Sequence, residues 1–180
     1  SISELVMLQY TKDNTFFKKA FPASLRPQGK EIVRTWLYYT LLRGYLETGK
    51  PAFTDVWIHN HITDEKGHKM SKSMGNVIDP QAIIREYGAE ALRFWVTTEG
   101  DLSKQDLPCS KDKIRGEVKT MNKLLNIARF IQQFDKPVKA KPTELDQVMI
   151  DYLDELTAEA DQLYEKYDFN HPAIKLRHFL

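Results

Sequence analysis

The 180 residues predict a mixed α/β segment followed by a run of long helices, with the change near residue 110. Three observations carry this fold class. Residues 29–46, GKEIVRTWLYYTLLRGYL, are apolar around most of a helical circumference, which suits a helix buried on several sides. Residues 53–63, FTDVWIHNHIT, are short and rich in β-branched and aromatic side chains, which reads as a buried strand. A helix leading into a strand is half of an α/β unit, the grammar of a parallel sheet. Beyond residue 110, two stretches repeat apolar residues at helical spacing.

Each element has a local cause. Gly49-Lys50-Pro51 ends the first helix, and Asp64-Glu65-Lys66-Gly67 forms the turn after the strand. Asp79-Pro80 is a helix start, with Asp as the cap and Pro at the first helical position. That helix runs to 87, stops at Gly88, and resumes over 89–98. EGDLSKQDLPCS (99–110) is a loop. A long amphipathic helix follows, with Ile114, Val118, Met121, Leu125, Ala128 and Ile131 along one stripe. KPVKAKP (136–142) is a proline-flanked linker. Leu145, Val148, Met149, Tyr152, Leu153, Leu156, Ala160 and Leu163 mark a second amphipathic helix. The last two helices read as an antiparallel hairpin inside a bundle.

Composition narrows the class. The chain is 42% hydrophobic and 28% charged, and no apolar run approaches the ~18 residues that span a bilayer. No secretory signal is visible at the N-terminus, and the missing Met start points to an excised piece. The single cysteine, Cys109, forbids an internal disulfide, excludes a zinc ribbon and fits a reducing cytoplasm; it reads as an inert loop thiol. Net charge is +1, but residues 104–141 hold ten Lys/Arg against four Asp/Glu, whereas 144–168 hold nine acidic residues and one basic one. The basic run is either a solvated helix face or a contact for polyphosphate.

The chemistry concentrates in KMSKSMGNVIDP, residues 69–80, which follow the C-terminal end of the predicted strand. Ligands of open α/β sheets bind outside the carboxyl ends of strands. Lys69 and Lys72 are compact point charges with rotatable donors. On a mobile loop they can close on three phosphates and stabilise the charge that builds up as pyrophosphate leaves. Ser71 and Ser73 can donate to phosphate oxygens, and Gly75-Asn76 supply a tight turn.

The string Lys69-Met70-Ser71-Lys72-Ser73 followed by Gly75-Asn76 resembles the KMSKS signature of the class I aminoacyl-tRNA synthetases. IHNHITDEKGHKMSKSMGNVIDPQAIIREYGAEALRFW is similar to the isoleucyl/valyl/leucyl branch, and SLRPQGKEIVRTWLYYTLLR most resembles the archaeal-type valyl family. MNKLLNIARFI is similar to the opening helix of that branch's anticodon-binding bundle.

The resemblance implies a Rossmann-type catalytic domain, of which residues 1–110 are the C-terminal half, with the helical anticodon-binding domain starting over 111–180. It implies activation of L-valine by ATP with Mg2+, and transfer to tRNA-Val. Lys72 would be the main stabiliser at the phosphates, Lys69 would assist, and Met70 would meet adenine through its backbone. His59 and Asn60 would lie near ATP, although the family usually has His-Gly there. Gly29 and Glu31 would lie near the ribose or the substrate amine, and Trp36 would wall the amino-acid pocket. The His-Ile-Gly-His tetrad of the family does not occur in these residues, so the isolated chain is expected not to activate valine. The parent enzyme is expected to be a monomer, and the isolated half-sheet to self-associate.

Plainer readings stand beside these. Trp36 is a buried helix residue on any reading. His59 and His61 share a strand face, but without a third ligand at useful spacing no metal site is predicted. His171 and His178 read as structural. Lys111, Lys113, Arg115, Lys119 and Lys123 are either a solvated face or a contact for the inner side of tRNA. An ordinary phosphotransferase would want a P-loop, G-x-x-x-x-G-K, or an Asp-x-Asp metal site, and neither is expected here. An isoleucyl enzyme and a non-catalytic tRNA-binding module are the remaining alternatives.

Overall fold

The computed structural model describes residues 3–134 and 140–180. Most of the predicted linker falls outside the described residues, and its last positions, 140–142, are irregular. The chain forms two compact units that divide after His61.

The first unit is built around two parallel strands. Helices α1 (Ser3–Met7) and α2 (Asn14–Ala20) lead into β1 (Ala23–Gly29). A 3-10 turn (Lys30–Ile32) and a π turn (Val33–Leu37) open α3 (Tyr38–Thr48), which crosses to β2 (Phe53–His59). The register sets Ala23 opposite Phe53 and Gly29 opposite His59. Leu5, Phe17, Phe21, Leu37, Ala52 and Phe53 form the core. Gly44 is buried where a Cβ would come 3.3 Å from the Ala52 Cβ, so the missing side chain lets α3 approach β2. Gly49, at φ 71°, ends α3 in the left-handed conformation that favours glycine.

Two expectations are corrected here. Residues 23–29 form a strand that the sequence pattern hid, because Arg26, Pro27 and Gln28 break hydrophobic alternation. The helix expected from residue 29 therefore starts later, and it is not buried on several sides. Tyr38, Tyr39, Tyr45 and Leu46 are each at least half exposed, because a two-stranded sheet offers the helix one face to meet.

The second unit opens with β3 (Ile62–Thr63), which pairs in parallel with β4 (Leu107–Pro108). The single strand expected over 53–63 is thus two short strands belonging to different sheets. Helices α4 (Pro80–Tyr87) and α5 (Ala89–Glu99) follow the lysine loop, and α6 (Lys111–Ile131), α7 (Glu144–Tyr164) and α8 (Asn170–Phe179) complete the unit. Asp79 caps α4 as expected, its Oδ1 accepting from Gln81 N at 3.0 Å. Asp79→Ala is expected to lower the unfolding free energy by about 1 kcal/mol. A shifted denaturant midpoint with an unchanged slope would register it.

Ile83, Ala91, Trp95, Cys109 and Ile114 form the second core, so α6 is joined to α5 across residue 110 within one unit. The two long helices do not form the expected hairpin. α6 packs chiefly on α5, and α7 chiefly on α8. Each long stripe is consequently split: Ile114 and Leu156 are buried, whereas Leu125, Ile131, Leu145, Val148 and Met149 are exposed. Asn170 ties α8 to α5 by donating from Nδ2 to the carbonyls of Thr97 (3.0 Å) and Thr98 (2.7 Å), groups that a helix end leaves unpaired. Among the described residues, no helix is long and apolar enough to cross a membrane.

Candidate functional site

The lysine loop has a fixed base and a free tip. Asp64 begins it, its Oδ1 accepting from the backbone N–H of Lys66 (3.0 Å) and His68 (2.7 Å). The other oxygen, Oδ2, accepts from Asn76 Nδ2 at 2.9 Å. The same Nδ2 donates to the Lys69 carbonyl at 3.2 Å, and Asn76 Oδ1 accepts from Ser71 N at 2.9 Å. Lys69 also bridges Thr63 in antiparallel fashion. Met70 anchors the exit, its sulfur accepting from Ile78 N at 3.2 Å. The two ends of the loop are therefore clasped through one asparagine side chain.

Residues 72–75 lie outside that clasp. Their backbone is held by longer contacts, Met74 N to Ser71 O and Gly75 N to Lys72 O, each 3.3 Å. The Ser71 and Ser73 hydroxyls lie 3.2 Å apart. Gly75, at φ 66°, makes the left-handed turn. Lys69 and Lys72 are exposed, and neither forms an ion pair among the described residues. Two uncommitted ammonium groups, two hydroxyls and an exposed tip suit an anion with several oxygens.

Hydrogen bonding from Asn76, followed by that from the His68 backbone N–H, holds the Asp64 carboxyl below its ordinary value. Its folded-state pKa is thus depressed, so its stabilising contribution is complete above the unfolded value of 3.8 and is lost as pH falls through the lower, folded one. Amide exchange at Lys66 and His68 is expected to quicken in that acid window. Asp64→Asn is expected to flatten this dependence.

The first unit carries the predicted residues Gly29, Glu31, Trp36, His59 and Asn60. The Glu31 carboxylate folds back over Gly29, where a Cβ would meet Glu31 Oε1 at 2.7 Å, and Glu31 Oε2 lies 3.0 Å from His61 Nε2. His59 Nδ1 donates to the Asn60 carbonyl at 3.0 Å, and both residues are half-buried. β2 ends at His59, so His59 and His61 do not share a strand face. Gly44 and Gly49-Lys50 have the spacing that begins a phosphate loop, but Pro51 follows and Gly44 lies inside α3.

A family model for tRNA synthetases class I (I, L, M and V) matches residues 2–107, more than half of the chain. The chain belongs to this family. It is 41% identical to the valine–tRNA ligase of Aeropyrum pernix over 96% of this chain and 21% of that relative. It is 43% identical to the valine–tRNA ligase of Nanoarchaeum equitans over 87% of this chain and 21% of that one. The chain thus spans about a fifth of the length of these relatives. Its fold matches the crystal structure of the ternary complex of Agrobacterium radiobacter K84 agnB2 LeuRS-tRNA-LeuAMS with a TM-score of 0.78. That match has 20% identity and covers 96% of this chain and 24% of that one.

Within this synthetase chain two expectations change, at Trp36 and along α6. Trp36 is half exposed rather than buried, because the π turn gives the inward positions to Leu37 and Thr40. Cys109 lies in the irregular stretch between β4 and α6 and is buried in the core at 4% exposure; burial pushes its pKa up, which suppresses the reactive thiolate. The basic residues of α6 are not one free face. Lys111 pairs with Glu86, Lys113 with Glu99 and Arg115 with Asp112, whereas Lys119 and Lys123 are exposed without an ion pair among the described residues. His171 pairs with Asp168 at 2.7 Å. Sequence reasoning missed the Asp64–Asn76 clasp. Asp64 and Asn76 are legible as turn residues flanking the lysine pair, but their pairing is not.

Proposed function

We propose that this synthetase chain is the KMSKS-bearing second half of a Rossmann-type catalytic domain of a valine–tRNA ligase, followed near residue 110 by the opening helices of its anticodon-binding domain. The observation that carries the proposal is the clasped loop with two free lysines, in a chain similar to valine–tRNA ligases. In the reaction, a valine carboxylate oxygen attacks the α-phosphorus of ATP and pyrophosphate leaves. Lys72 meets the charge growing on the departing phosphates, with Lys69 beside it. Valine then passes from the adenylate to the terminal ribose of tRNA-Val.

ATP arrives with Mg2+ on its own phosphates. At the loop base the Asp64 carboxylate already accepts three N–H bonds, so its role is to hold the loop. Ser71 and Ser73 add donors to the phosphates. His59 and Asn60 contact the nucleotide, and Met70 meets adenine through its backbone. Gly29 and Glu31 contact the adenylate, and Trp36, half exposed here, is available to line the valine pocket. Lys119 and Lys123 are free to meet tRNA.

The test is amino-acid-dependent ATP–pyrophosphate exchange by the intact ligase carrying these residues. A specificity constant for valine well above those for isoleucine and leucine supports the proposal; preference for another amino acid moves the branch, and no exchange ends it. An apolar pocket separates neighbours differing by a methylene by about 1–3 kcal/mol. Residues 1–180 alone are expected to give no exchange.

A further inference from the structure

We propose that Asp64 and Asn76 are the positioning residues of the phosphate loop, fixing Lys69 at a rigid base so that only the tip bearing Lys72 swings. The inference rests on the phosphate-handling role proposed above. Asn76 is not simply a turn residue. Its side chain makes three hydrogen bonds, to Ser71 N, the Lys69 carbonyl and Asp64, which spends its one acceptor and both donors within the clasp. Asp64 in turn has both oxygens occupied by N–H donors. Its side chain is only 15% exposed, and the Asn76 bonds to Asp64 and to Ser71 N are partly buried.

The hydrogen-bond pattern divides the loop. The clasp ties residues 64, 66, 68, 69, 71 and 76 together by bonds of 2.7–3.2 Å, while among the described residues 72–75 are joined only to Ser71 and to one another, at 3.2–3.3 Å. Lys69 lies inside the clasp, with its backbone also bridged to Thr63, and Lys72 lies outside it. The two lysines of the motif are therefore mechanically different. Lys69 is anchored at its backbone, and Lys72 is delivered by a hinge whose ends are Ser71 and Asn76. A phosphate-binding lysine set at the wrong height by about 1 Å loses much of its effect on rate.

The test uses exchange kinetics in the intact ligase, with hydrogen exchange on the 180-residue chain alongside. Asn76→Ala is expected to lower kcat about 10–100-fold, leave KM for valine unchanged, and speed Ser71 amide exchange while the unfolding midpoint stays close to wild type. Combined with Lys72→Ala it should add little, because both remove the same delivered charge. Asn76→Asp sets two carboxylates against each other and should lose rate; adding Asp64→Asn restores a donor between the two positions and should recover part of it. Wild-type kcat in Asn76→Ala, or losses that multiply in full with those of Lys72→Ala, would overturn the proposal while leaving the function in place, provided Lys72→Ala alone lowers kcat. If Lys72→Ala keeps full activity, the functional reading itself falls, and this proposal with it.

Discussion

Lys72→Ala in the intact ligase is expected to cut the kcat of valine-dependent ATP–pyrophosphate exchange by about 10²–10³-fold, with KM for valine nearly unchanged. The magnitude is that of removing one preorganised group aimed at charge that exists only in the transition state. Lys72 fits that description because it spends nothing in the resting structure. It is exposed, has no ion pair among the described residues, and sits on the tip that the clasp leaves free. An interaction absent from the ground state can be given wholly to the transition state, which is why the loss belongs in kcat. Lys72→Arg should recover only part of the rate, since the planar guanidinium cannot replace a compact ammonium at the same phosphate oxygens. A loss confined to KM would assign Lys72 to ordinary ATP binding.

Much of this was legible in the residues because the signals were local. Asp79-Pro80, Gly49 and Gly88 mark helix ends through backbone chemistry that needs no tertiary partner, and the helices begin or end there. The lysine pair was legible as chemistry because charge, hydroxyls and glycine fall within seven residues. What failed depended on partners. β1 carries arginine, proline and glutamine, and it is a strand because β2 lies beside it over seven residues. The hairpin of α6 and α7 was inferred from two apolar stripes, but a stripe states only that something covers it. Here α5 and α8 cover one half of each, and the periodicity is the same in the covered and the open half. Trp36 shows the same limit, since a π turn shifts the inward face without changing the composition. The clasp went unread because Asp64 and Asn76 are twelve positions apart, and only folding makes them neighbours.

Arg177→Leu is expected to destabilise the chain by about 3–5 kcal/mol, among the largest losses open to a single substitution here. Glu117 lies on the buried face of α6 with 6% of its side chain exposed. Its Oε1 accepts from Arg177 Nη1 of α8 at 2.6 Å, and its Oε2 is buried with no partner among the described residues. The carboxylate thus depends on one guanidinium for its charge compensation, and removing Arg177 leaves it buried without a partner. The pair itself adds little, because desolvation of both charges offsets their attraction. Glu117→Leu combined with Arg177→Leu should therefore recover most of the loss, which a contact valued only for its packing would not do. Denaturant unfolding of the two variants separates these cases. The consequence reaches beyond stability, since α8 is also tied to the carbonyl end of α5 through Asn170, and α5 packs on α4, the helix that begins where the lysine loop ends. Loosening α8 should therefore raise amide exchange first in α8 and α6. The Asp64–Asn76 clasp should keep its protection, because its bonds run within residues 63–76.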